Sequence, residues 1–148
     1  MLRLPPPVWA FLFLIIAGAV SRLQSWRALL DLRLVWLGAA LIVIGGAMSV
    51  WAFSLFRRAG TEISPTSVSN TSLVVHGPFR FTRNPMYLGL VVVTLGIALW
   101  VGSLPMFAVP VLVFATANWA HIPFEEAKMR RQFGPAFDEY TRRVRRWL

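Results

Sequence analysis

The chain contains no cysteine, which excludes disulfides, a thiolate nucleophile and any cysteine-based zinc site. Histidine is scarce as well: His76 and His121 stand forty-five positions apart and make no recognisable metal spacing. Glycine-rich dinucleotide fingerprints are missing, which argues against the usual soluble methyltransferase or dehydrogenase site. Acidic residues number six against fifteen basic ones, for a net charge of +9, and fourteen of the fifteen are arginine. Charged residues of both signs make up only 14% of a chain that is 57% hydrophobic, far from the averages of soluble domains. The basic residues flank apolar runs and do not line a polar face, so the excess reads as membrane orientation, and nucleic acid is not an expected partner. Any hard chemistry then has to come from a bound organic cofactor or from the substrate itself.

What the chain does have is apolar length. Its 148 residues read as a single all-α integral-membrane domain of about four transmembrane helices and a C-terminal amphipathic segment, without internal repeat or low-complexity linker. Spans are predicted near residues 8–21, 34–56, 86–101 and 104–122, against the ~20 residues a perpendicular crossing takes. The first run, ending in Ala17-Gly18-Ala19, also resembles a signal peptide; a retained span is expected because the next segment needs a helical partner. Residues 21–33 form a basic connection, with Trp26, that should lie along the interface. Gly38, Gly45 and Ser49 give the second span a small-residue side that lets another helix approach closely.

Residues 61–85 are expected to form a polar loop. Asn70-Thr71-Ser72 matches a glycosylation sequon there, but the predicted topology keeps it away from a secretory lumen. Gly102-Ser103 and Pro105 make the last two spans a tight antiparallel hairpin. Arg57, Arg58, Arg80, Arg83 and seven basic residues after Ile122 assign one side, with both termini and the polar clusters, to the cytoplasm. Arg22, Arg27 and Arg33 are left on the other side.

Two polar clusters stand out. In the first, from Leu73 to Gly89, two arginines, His76, Asn84 and Tyr87 crowd the mouth of the third span. Pro85 suits the first turn of a helix, where the N–H groups lack partners anyway. The partial positive charge of that helix end, beside Arg80 and Arg83, favours an anionic group. In the second cluster Asn118, His121 and Glu125 are spaced i, i+3, i+7 and share one face of a continuous helix. Pro123 removes a donor and clashes with the carbonyl of Trp119, so a kink or a fresh helix start is expected. His121 and Glu125 are the candidates for accepting a proton, and ionisable groups at the edge of a span point to function. Helices are predicted over 124–146, with Phe133, Phe137, Tyr140, Val144 and Trp147 as an apolar stripe and Arg142 to Arg146 as an anchor to anionic lipid. Gly134-Pro135 reads as a helix stop followed at once by a start.

Taken together, Leu73-Val74, Gly77-Pro78-Phe79, the run Arg83-Asn84-Pro85-Met86-Tyr87-Leu88-Gly89, and then Glu125-Glu126, Phe133-Gly134 and Tyr140 resemble the isoprenylcysteine carboxyl methyltransferase family, which is related to phospholipid methyltransferases. The resemblance runs from about Ser64 onward. It implies an integral-membrane helical enzyme that binds S-adenosylmethionine on the cytoplasmic side and methylates a lipid-borne group. The carboxylate of a prenylated cysteine is the acceptor it implies first, with a phospholipid amine or a small thiol as alternatives. By the same resemblance, Thr71, Ser72, Leu73, Val74, His76, Gly77 and Phe79 supply one part of the cofactor site. Asn84, Pro85, Met86, Tyr87 and Glu125 supply the rest. Arg83, His121 and Glu125 take catalytic roles, and His121 and Asn118 meet the acceptor. Two positions depart from the family pattern. Asn84 replaces a histidine but can still donate and accept hydrogen bonds. His121 stands where prenylcysteine enzymes place an arginine, and it cannot offer a planar bidentate fork to a carboxylate. Two other readings compete: a sterol-reductase-like enzyme, which would need a nicotinamide cofactor, and a non-enzymatic small membrane subunit.

Overall fold

A computed structural model describes residues 4–22, 32–59 and 72–148. Thr71 and the rest of the 60–71 stretch lie outside the described residues, as does the connection over 23–31. The elements formed by the described residues are all helices, with no strand. Helix α1 spans Pro6–Val20, α2 Val35–Arg58, α3 Pro85–Val101 and α4 Leu104–Thr116. A π-helical turn over Ala117–His121 joins α4 directly to α5, Ile122–Phe133, and α6 covers Pro135–Arg143. Both α2 and the continuous Leu104–Phe133 helix are long and apolar enough to cross a membrane, while α1 and α3 are shorter apolar helices. At 1.5 Å per residue, ~20 residues cross a hydrocarbon core of ~30 Å. Counted from Leu104, that length reaches Pro123, two residues before Glu125.

Prolines open most of these helices, at positions where a missing N–H removes no bond: α1, α3, α4 and α6 each carry one in the first two positions. Contacts at the ends set the order of the bundle. The Leu34 N–H reaches the carbonyl of Leu99, and the Leu32 N–H that of Gly102, so the start of α2 lies beside the end of α3. The hydroxyls of Ser21 and Ser103 are 2.7 Å apart, so α1 ends where α4 begins. Gly102, at φ 78°, makes the turn between α3 and α4. The helices therefore run up and down in turn. Leu4 to Pro7, the end of α2, residues 72–87, the π-turn and α6 share the opposite end.

The α2–α3 seam is built from small residues on both sides. A methyl group on Gly38 would lie 2.6 Å from the carbonyl oxygen of Gly96, and one on Gly45 would lie 2.6 Å from that of Gly89. Backbones in such contact exclude any side chain, which is how helices associate where lipid removes the hydrophobic incentive.

At Pro123 the structure departs from the expected kink or fresh start. The helix neither breaks nor restarts: the Ile122 N–H bonds back to Ala117, five residues away, in the π-turn. One extra residue in the turn absorbs the conflict between Pro123 and the preceding carbonyls. Over 124–146 the helices divide at Gly134-Pro135, where a stop and a start were expected, but end before Val144. Gly134, at φ 49°, separates α5 from α6, and the chain becomes extended at Val144, φ −122° and ψ 129°.

Candidate active site

Tyr87 sits in the first turn of α3 and Glu125 in the first turn of α5. The Tyr87 hydroxyl donates to Glu125 Oε1 at 2.6 Å. The two clusters, thirty-eight residues apart in sequence, thus meet at one end of the bundle. The pair faces a cavity of about 630 Å³, within the ~300–1,000 Å³ usual for small-molecule sites. Its walls are chiefly apolar. Phe53 and Phe56 come from α2, Leu73 and Val74 from the preceding loop, and Met86 and Leu90 from α3. Pro5 to Pro7, ahead of and within the start of α1, close another side. Val50 and Phe53, both exposed, stand at its lipid-facing edge.

Most of the sequence-predicted site residues converge here. Ser72, Leu73, Val74, Phe79, Asn84, Pro85, Met86, Tyr87 and Glu125 all line the cavity. Thr71 lies outside the described residues. His76 and Gly77 do not line it: His76 is exposed, and Gly77 packs against Leu55 and Trp51 of α2. The expected row of Asn118, His121 and Glu125 does not form, because the wider π-turn over Ala117–His121 shifts Asn118 out of register with the other two. Asn118 Oδ1 instead accepts from Trp147 Nε1 at 3.0 Å. His121 is 2% exposed, with Nδ1 3.2 Å from the carbonyl of Thr116 and Nε2 3.4 Å from that of Leu4. Its ring ties the α1 lead-in to the π-turn and lies behind Tyr87, off the main cavity.

Arg83 lines the cavity, but its guanidinium is committed elsewhere. Nη2 meets Glu126 Oε1 at 2.8 Å, and Nη1 donates to the carbonyls of Thr141 at 3.1 Å and Val144 at 2.7 Å. An arginine saturated in this way is a clamp and not a free charge for an anion. Glu126 also receives Arg146 Nη2 at 2.6 Å, so Arg146 turns inward and is not part of a lipid-facing anchor. Burial alone would raise the Glu126 carboxyl, but the hydrogen bonds and charges of Arg146 and Arg83 hold it below the ordinary carboxylate range. The Asn84 side-chain amide donates to the carbonyl of Arg146 at 2.9 Å, which spends on the chain itself a donor expected to serve a ligand. Tyr140 donates to the carbonyl of Phe79 at 2.7 Å, and burial pushes its phenol up to about 12, so it stays a donor at neutral pH.

Sequence reasoning missed Glu126, Arg146 and the role of α6 as a cover. One signal was available: a chain with so few acids beside so many arginines has little reason to keep two adjacent glutamates at a span edge unless both are paired.

Residues 33–136 match the family described as phospholipid methyltransferase. Among curated proteins, the chain is 28% identical to the nickel-cobalt-cadmium resistance protein NccN of Alcaligenes xylosoxydans xylosoxydans, over 83% of this chain and 62% of that one. It is 29% identical to methanethiol S-methyltransferase 2 of Bradyrhizobium diazoefficiens, over 95% and 49% respectively. To a probable protein-S-isoprenylcysteine O-methyltransferase of Oryza sativa it is 26% identical, over 74% and 58%. The chain thus spans only about half to three-fifths of the length of these relatives. No solved structure matches it.

Proposed function

The chain belongs to the phospholipid methyltransferase family, and from that premise we propose that it moves a methyl group from S-adenosylmethionine to a hydrophobic acceptor at the cavity end of the bundle. One observation carries the reading: Tyr87 and Glu125, from the two separate motifs, share a 2.6 Å hydrogen bond on the wall of one cavity. The residues present suit such a donor molecule. Glu125 offers a carboxylate to a cationic centre, and Phe53, Phe56 and Met129 offer apolar surface to the rest. Ser72 to Val74, Phe79 and Asn84 to Tyr87 would hold it. Bound there, the sulfonium supplies an activated methyl group, and no covalent protein intermediate is needed.

The chain's own work is then alignment and exclusion of water. Tyr87 fixes the orientation of the Glu125 carboxylate, and the Phe53–Phe56 wall keeps the reacting centre dry. We place this end at the cytoplasmic face, supported by the gathering there of Arg57, Arg58, Arg80 and the basic residues of α5 and α6. The exposed edge at Val50 and Phe53 lets an acceptor reach the cavity from the lipid.

A second reading concerns the acceptor atom. A prenylcysteine carboxylate needs a cation: of the two basic residues described on the cavity wall, Arg83 is spent on Glu126 and two carbonyls, which leaves that task to Lys128, while His121 faces backbone oxygens off the cavity. A thiol or amine loses a proton on methylation, and Glu125 is placed to take it. The position of Glu125 as a proton acceptor supports a hydrophobic thiol or amine over a carboxylate, and the methanethiol methyltransferase among the relatives is in keeping with that. The test is methyl incorporation by the purified protein with a long-chain thiol, a phospholipid amine and a farnesylated cysteine analogue side by side. Transfer to the thiol or amine, lost in Glu125→Gln, supports the reading. Transfer confined to the farnesylated carboxylate would overturn the choice of acceptor, and transfer to none of them the activity itself.

A further inference from the structure

Beyond α6 the chain leaves the helix at Val144, whose backbone is extended, and bends again at Arg146; none of Val144 to Trp147 lines the cavity. Their backbone is nonetheless fastened at successive positions to the turn that precedes Tyr87. The carbonyl of Val144 accepts from Arg83 Nη1, that of Arg145 from the Arg83 N–H at 3.0 Å, and that of Arg146 from Thr82 Oγ1 and Asn84 Nδ2. Their side chains reach the other motif. Arg146 pairs with Glu126, the neighbour of Glu125. Trp147 donates to Asn118 in the π-turn, lies 4.7 Å from the Phe114 ring, and packs against Tyr87, Ala117 and Ile122.

This stretch therefore bridges the start of α3 and the start of α5. Those are the two helix ends whose separation decides whether Tyr87 can reach Glu125. Glu126 sees cations from three elements: Arg83 before α3, Arg146 on the stretch after α6, and Arg130 on α5 itself. We propose that Arg146 and Trp147 are positioning residues, which hold the α3 and α5 starts at the spacing the Tyr87–Glu125 pair requires. The proposal rests on the methyltransferase reading above, since it concerns the same cavity.

The test is a binding titration of the full chain in detergent with S-adenosylhomocysteine, reading affinity and stoichiometry separately. Arg146→Gln should weaken affinity about tenfold at unchanged stoichiometry, because a charged partner of Glu126 is lost while the fold persists. Arg146→Lys should recover much of that loss, since an ammonium can still meet Glu126. Trp147→Leu should weaken affinity in the same sense. Gly96→Ala, at the far part of the α2–α3 seam, serves as a variant that strains the fold away from the cavity, and its remaining folded protein should bind with unaltered affinity. Overturning results are an unchanged affinity in Arg146→Gln, or a fall in stoichiometry alone, which marks lost folded protein and no positioning. Failure of the unaltered chain to bind would overturn the proposed function and this proposal with it.

Discussion

Along the α2–α3 seam, Gly38 meets Gly96 and Gly45 meets Gly89 with no room for a methyl group. At the end of the same bundle Arg83, Glu126 and Arg146 form a half-buried ionic cluster beneath the strap of backbone that follows α6. The first region is held by close approach of surfaces that carry no chemistry. The second is held by polar groups that satisfy one another. That mutual satisfaction matters for function: with Arg83 and Glu126 paired, and Asn84 Nδ2 committed to Arg146, the Tyr87–Glu125 pair is left facing the cavity. Stability in one region therefore tests shape, and in the other it tests charge.

The largest effect is expected in the seam. Gly89→Leu places a side chain where even a Cβ would lie 2.5 Å from the carbonyl of Gly45. It should cost about 3 kcal/mol, the upper range for overpacking, seen as a depressed thermal midpoint in detergent. At the site end, Glu125→Gln keeps the shape and removes the charge. It should lower methyl transfer to a thiol or amine by about a hundredfold if it accepts the proton, with little change in thermal midpoint.

These two regions also differ in how far the sequence alone discloses them. The glycine pattern of α2 was legible because small residues at helical spacing have one main use between apolar helices. The site end was legible only in part. Leu73, Val74, Phe79, Asn84 to Tyr87 and Glu125 reach the cavity, the last two from the first turns of α3 and α5. The placement of Asn118 and His121 was not, because a helical spacing rule assumes 3.6 residues per turn and the π-turn before Pro123 breaks it. Arg142 to Arg146 read as a uniform basic run. Only the glutamate forty-three residues after Arg83 shows that Arg146 differs from its neighbours.

A middle-sized effect is expected from the ionic cluster. Glu126→Gln should cost about 2 kcal/mol, typical of hydrogen bonds to a charged group, measured by thermal or denaturant unfolding. The Glu126 carboxyl is held below its ordinary value in the fold. Its contribution is therefore complete above the unfolded value of about 4.3 and disappears as pH falls through the lower folded value. Acid should weaken the unaltered chain in that window more than it weakens Glu126→Gln. The smallest effect separates two adjacent arginines: Arg145, exposed and engaged through its carbonyl, should tolerate alanine within about 0.5 kcal/mol, while Arg146→Ala should not.

The most direct measurement is a double-mutant cycle on the binding free energy of S-adenosylhomocysteine, using Tyr87→Phe, Glu125→Gln and the two combined. If the two motifs act as one site, the single losses should fail to add, with a coupling of about 1 kcal/mol or more. Losses that add within about 0.3–0.5 kcal/mol, or binding indifferent to both changes, would contradict it.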